Sequence, residues 1–134
     1  MEAFPNAFLG VLTPETDFLS APKFKRGERF DGLYERIVTA GRLESTLSPL
    51  LDLPADVWHK ARSEANHEHR AALICLLTAG LAAQGVATIV GEDTGGWFWL
   101  PPLSLWQPWA RAGLDSAVRT MASKGQIIEI RCES

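Results

Sequence analysis

The sequence has little cysteine and no recognisable targeting segment. Only two cysteines, Cys75 and Cys132, occur among the 134 residues, and their wide separation indicates neither a disulfide framework nor a CxxC metal site. The first residues lack the basic start and the apolar stretch of a secretion signal. We therefore expect free, buried thiols in a reducing compartment and a cytoplasmic location.

The sequence also lacks a large excess of either charge. Sixteen acidic and thirteen basic side chains give a formal net charge of −3, whereas dedicated nucleic-acid-binding domains are usually strongly basic. Hydrophobic residues make up 46% and charged residues 22%, an ordinary globular composition that argues against disorder or a fibrous repeat. A chain of this length has room for one core, so we predict a single globular domain over residues 1–134.

One uncharged stretch, residues 71–91, has about the length that spans a bilayer. Gln84 and Gly85 interrupt it, however, and the residues after them are β-branched and typical of a strand. A buried helix over residues 71–84 followed by a strand therefore explains the stretch better than a membrane helix. This interpretation places Leu76 in the core.

The periodicity of apolar residues predicts an α+β fold. Helical spacing recurs in residues 28–40, 43–51, 54–84 (with a candidate break at Asn66) and 104–123. Two β-branched or aromatic runs around a glycine-containing turn predict a β-hairpin over residues 87–100, and the alternating residues 126–132 predict a final strand. We expect these strands to form a small antiparallel sheet that packs against three to five helices.

The first 26 residues differ from the rest because they are rich in phenylalanine and proline. This composition predicts an N-terminal arm of extended chain and turns, with a short strand at residues 7–12. Such an arm has to pack its phenylalanines on its own domain or on a partner.

All three histidines lie in one helical segment, residues 55–70. Two acidic residues stand three positions before a histidine there, a spacing that helical bundles use for carboxylate-bridged metals. Such sites need a second helix of the same kind, and two histidines two positions apart point to nearly opposite sides of a helix. We therefore predict a solvated face without metal or cofactor. A metal site or small metal-dependent enzyme is the alternative, with the candidate residues His59, Glu64, His67 and His69.

One short run, residues 23–29, is densely basic and contains an interleaved phenylalanine. Side chains of this kind contact phosphates or nucleic-acid backbones. The acidic net charge favours a solvated loop instead. The candidate contact residues are Lys23, Lys25, Arg26 and Arg29.

Four of the five tryptophans lie within residues 97–109. A domain of this size seldom has core space for all of them, and tryptophan is over-represented among binding hot spots. We expect Trp106 and Trp109 to be exposed and Trp97 or Trp99 to belong to the core. The predicted partner-binding residues are Trp97, Trp99, Trp106 and Trp109.

Size, charge and the tryptophan-rich segment together favour a small acidic interaction module without enzymatic activity. We expect it to bind, and to inhibit or regulate, a protein or protein complex, as small inhibitors, immunity proteins and counter-defence proteins do. The metal-dependent enzyme is one alternative, and a nucleic-acid-contacting accessory subunit is another. The sequence leaves the oligomeric state open.

Overall fold

The computed structural model describes residues 2–21, 27–92 and 95–132. Four short helices precede a helical pair, a hairpin, a long helix and a final strand. In chain order the elements are β1 (Glu2–Ala3), α1 (Pro5–Leu12), α2 (Glu15–Ser20), α3 (Glu28–Tyr34, continued by a π-helical turn, Glu35–Thr39), α4 (Arg42–Leu47), α5 (Ala55–Ser63), α6 (His67–Ala83), β2 (Thr88–Glu92), β3 (Gly96–Leu100), a 3-10 turn (Leu103–Leu105), α7 (Pro108–Ser123) and β4 (Glu129–Cys132).

The sheet has the strand order β1-β3-β2-β4. Strand β2 runs antiparallel to both β3 and β4, and the two residues of β1 join β3 in parallel. The predicted α+β class, the hairpin and the C-terminal strand are therefore confirmed. Within the described residues the chain has seven α-helices, more than the expected three to five, because the N-terminal segment and the pattern over residues 54–84 each divide into two helices.

The main core lies between the N-terminal helices and α6. Phe8 and Leu9 of α1, Leu33 of α3 and Ile74 of α6 are fully buried there. Tyr34 is also buried, and its hydroxyl donates a 2.5 Å hydrogen bond to the carbonyl of Ala61. Burial raises the pKa of Tyr34 to about 12, because the charged phenolate is poorly solvated in the core.

The prediction of an extended arm with a strand at residues 7–12 is wrong. Those residues belong to α1, which begins at Pro5, where a proline has no hydrogen bond to lose and its φ angle suits a helix. Phe8, Leu9 and Leu12 are one turn or less apart on α1, so all three reach the core. Packing against the core therefore makes the proline-rich N-terminal segment part of the folded structure.

Helix α6 confirms one sequence prediction and contradicts another. The break before it is present, because Asn66 caps the helix by accepting a 3.1 Å hydrogen bond from the backbone N–H of His69. The helix is not buried on all sides, however: Leu76 is 56% exposed, so its placement in the core is wrong. The core contacts only the face that carries Ile74 and Leu77. Cys75 on this helix and Cys132 on β4 are exposed, so the expectation of buried thiols is also wrong. None of the helices in the described part of the chain has both the length and the apolar character of a membrane span.

Candidate functional site

A surface groove of about 490 Å³ lies between α1, α2, α3 and α7. Its volume is in the range typical of ligand sites. Most of the residues along it are apolar or lack a side chain, and Arg29 is the only charged one among the described lining residues. The apolar side chains are those of Phe4, Ala7, Val11, Phe18, Leu33, Trp109 and Ala110.

Hydrogen bonds between two distant parts of the chain fix one wall of this groove. The last carbonyls of a helix have no partner within the helix. At the end of α1, the backbone N–H of Gln107 donates to the Val11 carbonyl at 2.8 Å, and the Gln107 side-chain amide donates to the Leu12 carbonyl at 3.3 Å. The indole N–H of Trp109 donates to the Thr13 carbonyl at 2.7 Å. The start of α7 is therefore fastened to the end of α1, and the Trp109 ring is held in one orientation.

Along the groove, Phe18 contacts both Trp109 and Arg29. The rings of Phe18 and Trp109 have centroids 4.6 Å apart and are tilted by 41°. The guanidinium carbon of Arg29 lies 4.4 Å from the centroid of the same Phe18 ring. Such cation–π contact holds a guanidinium in place without using its hydrogen-bond donors.

Arg29 retains unused hydrogen-bonding capacity. Its Nε atom is buried and has no hydrogen-bond partner among the described residues, and no ion pair connects Arg29 with any carboxylate there. A buried N–H group without a partner is rare in folded proteins and costs free energy. The groove therefore contains a fixed positive charge that no carboxylate of the described residues neutralises.

Two glycines leave space along the groove. A Cβ on Gly10 would lie 3.2 Å from the Phe18 ring, so the absence of a side chain there lets the ring pack against α1. A Cβ on Gly113 would meet nothing within 4 Å, so a larger side chain at this position would extend into the groove. Neither glycine was recognised as functional from the sequence, where an isolated glycine in a helix signals only reduced helix propensity.

The four tryptophans predicted to bind a partner do not share one surface. Trp109 is half-buried and lines the groove. Trp106 is only 6% exposed, so the prediction that it is exposed is wrong: it packs with Leu100 and Ala110, and its indole N–H donates to the Pro101 carbonyl at 2.8 Å.

The remaining two of these tryptophans lie on the hairpin. Trp99 is half-buried and packs against the main core. Trp97 is also half-buried, and the guanidinium carbon of Arg131 lies 4.5 Å from the centroid of its ring. The strand pattern placed both on one face of the sheet, and this face is separate from the groove that Trp109 lines.

The histidine cluster divides between different partners. His67 Nδ1 lies 3.0 Å from an oxygen of Asp31 on α3, whereas His69 Nδ1 lies 3.5 Å from Glu64. His59 is exposed on α5. Among the described residues, no three histidine, cysteine, aspartate or glutamate side chains are grouped so that they could hold a metal ion.

Arg70 connects this cluster to α3, although no sequence pattern singled it out. The side chain is buried, donates from Nε to the Glu64 carbonyl at 2.7 Å, and pairs with Asp31 at 3.2 Å. A hydrogen bond from the backbone N–H of Asn66 lowers the pKa of the Glu64 carboxyl. The polar groups between α5 and α6 therefore fasten these helices to α3. The signal in the sequence was an arginine directly before a long uncharged run.

The candidate phosphate-binding residues are only partly described. Lys23, Lys25 and Arg26 lie outside the described residues, whereas Arg29 lies in the groove.

Comparison with known proteins found no matching family model, curated protein or solved structure. The functional argument therefore depends on the chemistry of the groove.

Proposed function

We propose that the protein is a small acidic interaction module that acts in the cytoplasm and docks on a protein partner through the groove between α1, α2, α3 and α7. One observation carries the proposal. The groove combines a mostly apolar lining, a half-buried tryptophan and an arginine without a carboxylate partner in the described part of the chain. Tryptophan and arginine are the residue types most enriched at the energetic centres of protein interfaces.

The fixed geometry of the groove also supports docking. The hydrogen bond to the Thr13 carbonyl restrains the Trp109 ring, and Phe18 restrains the Arg29 guanidinium. Groups that are already ordered lose little conformational entropy when a partner arrives. The groove is therefore suited to binding without rearrangement, and occupation of the partner's surface would regulate or inhibit it.

The chemistry along the groove favours binding over catalysis. Arg29 is the only titratable side chain among the described residues that line it, and arginine does not act as a general base at physiological pH. Three of the candidate acid and base groups have carboxylate or histidine neighbours instead: His69 contacts Glu64, and His67 contacts Asp31 of α3. These contacts support a structural role for the histidine cluster.

The test uses substitutions at Gly113, because a side chain there enters open space. Tagged wild-type protein and the variants Gly113→Ala and Gly113→Phe are used to capture partners from lysate of the source cells, and captured proteins are quantified by mass spectrometry. Gly113→Phe should lose the partner because its ring fills the groove. Gly113→Ala is the matched control and should retain the partner, with a fold more stable by about 0.5–1 kcal/mol because alanine favours the helix.

Two outcomes contradict the proposal. In the first, Gly113→Phe retains the same proteins in the same yield as the wild type. In the second, the wild type captures nothing above the Gly113→Phe background. Thermal melts of all three proteins show whether a loss of capture reflects the groove or unfolding.

A further inference from the structure

We infer that the groove binds a peptide segment of the partner in which a large apolar side chain lies close to a carboxylate. The apolar side chain packs against Phe18 and Trp109, and the carboxylate pairs with Arg29. This inference rests on the proposed function and specifies its ligand class.

The apolar part of the ligand follows from the shape and lining of the groove. Val11, Phe18 and Trp109 present apolar surface from three different helices, and Gly113 leaves the space beside α7 open. Water in such a space makes few hydrogen bonds with the walls. Its replacement by an aromatic or large aliphatic side chain is favourable because apolar surface is removed from water.

The charged part of the ligand follows from Arg29. No carboxylate among the described residues pairs with Arg29, and the Phe18 ring holds the guanidinium beside the apolar wall. A carboxylate can accept two parallel N–H bonds from a guanidinium and would balance this charge. A basic ligand would instead place a second positive charge beside Arg29.

A carboxylate fits this environment better than a phosphate. A phosphate carries close to two negative charges at neutral pH, and Arg29 is the single cation among the described residues along the groove. No second cation among the described residues lines the groove to balance the second charge beside its apolar side chains. The groove is also open to solvent, so a segment of a larger chain can reach it. The ligand is therefore an acidic and apolar stretch of a protein.

The experiment selects ligands without knowledge of the natural partner. Short random peptides displayed on phage are panned on wild-type protein, with Gly113→Phe protein as the counter-selection. We expect the enriched peptides to contain an aromatic or large aliphatic residue within one or two positions of Asp or Glu. For the best peptide, replacement of the acidic residue by its amide should weaken binding about tenfold, as measured by fluorescence polarisation.

Variants of Arg29 assign the carboxylate contact. The Arg29→Gln variant should bind the acidic peptide and the peptide with the amide substitution equally well. In Arg29→Lys the preference for the acidic peptide should return in part, because the positive charge is restored. Thermal melts of both variants check folding. Enriched peptides without acidic residues, or an acid preference that survives in Arg29→Gln, overturn the inference.

The capture experiment separates the two proposals. If Gly113→Phe loses its partner while the selected peptides lack a carboxylate, the interaction module stands and the ligand assignment is wrong. If Gly113→Phe retains its partner, docking through the groove is wrong. A panning experiment that yields no peptide specific to the wild type over Gly113→Phe contradicts the ligand class.

Discussion

The indole N–H of Trp109 donates a 2.7 Å hydrogen bond to the main-chain carbonyl of Thr13, a residue 96 positions earlier in the chain. This bond joins the first turn of α7 to the residue that ends α1. It also sets the position of the aromatic ring against Phe18. Stability and the shape of the groove therefore depend on the same side chain, and substitutions can separate the two contributions.

We expect Trp109→Phe to keep an aromatic ring in the groove but to lose the hydrogen bond to Thr13. The partly buried carbonyl would then lack its donor, which should lower the free energy of unfolding by about 1–2 kcal/mol. Partner capture should fall as well, because the smaller ring is no longer held in one orientation. Urea unfolding and quantitative capture measure the two effects. Unchanged stability would show that the hydrogen bond contributes nothing.

Trp106→Ala is the control for this prediction. Trp106 is buried with Leu100 and Ala110 and does not line the groove. Its loss should cost about 3–5 kcal/mol of stability because a large cavity remains. At a temperature where the variant is still folded, partner capture per folded molecule should equal that of the wild type. A selective loss of capture would instead give Trp106 a role in the interface.

The exposed position of Leu76 gives a second prediction. Leu76→Asp should change the free energy of unfolding by less than about 0.5 kcal/mol, as is usual for surface substitutions. Lys60 and His69 line the same surface hollow, so the new carboxylate would have basic neighbours. Urea unfolding measures the change.

Ile74→Asp is the contrasting variant on the opposite face of α6. Ile74 is fully buried, so a carboxylate there would be an unpaired charge in the core and should abolish soluble expression. Loss of the fold in Leu76→Asp, or a normal fold in Ile74→Asp, would contradict the orientation of α6.

Tyr34 predicts how stability depends on alkaline pH. Its pKa is raised from 10.0 to about 12 in the folded protein, so the unfolded chain releases this proton first as the pH rises. Between pH 10 and about 12 the unfolded state binds fewer protons than the folded state, and the free energy of unfolding therefore falls with pH. Below pH 10 this group contributes no slope. Urea midpoints measured across the range should show the decline.

Tyr34→Phe is the matched control because it removes the titrating group and keeps the ring. The free energy of unfolding of the variant should be lower by about 1 kcal/mol at neutral pH, because the Ala61 carbonyl loses its hydrogen-bond donor. Its decline above pH 10 should be shallower than that of the wild type. If the free energy of unfolding falls equally in both proteins above pH 10, burial does not raise the pKa of Tyr34.

Metal content tests the role of the histidine cluster. Protein purified without chelators should contain far less than one transition-metal ion per chain by elemental analysis, because His67 and His69 contact separate carboxylates. One zinc, iron or manganese ion per chain would favour the metal-dependent enzyme instead. In that case, His67→Ala should remove the ion and His59→Ala tests whether α5 contributes a ligand.

The sequence predicted those features that depend on neighbouring residues. The hairpin strands β2 and β3 follow from short β-branched and aromatic runs around a glycine turn, and the Asn66 cap follows from a residue type that satisfies the first N–H groups of a helix. These signals operate within a few residues. They identify an element but not which of its faces another element covers.

The errors concern choices that distant contacts decide. Leu76 and Ile74 both belong to an uncharged run, and only the position of the core separates the exposed from the buried one. Trp106 and Trp109 are only three residues apart in the chain. Trp106 is buried in a small core, whereas Trp109 contacts the end of α1. The groove joins α1, α2 and α3 with α7, so no local pattern indicates it.

The two walls of the groove are made at different times during synthesis. Phe18 and Arg29 precede Trp109 and Gly113 in the chain and therefore leave the ribosome earlier. A nascent chain that ends before α7 lacks one wall and leaves the end of α1 without its hydrogen-bond donors. Under the proposed docking function, we therefore expect chains that end before α7 not to compete for the partner.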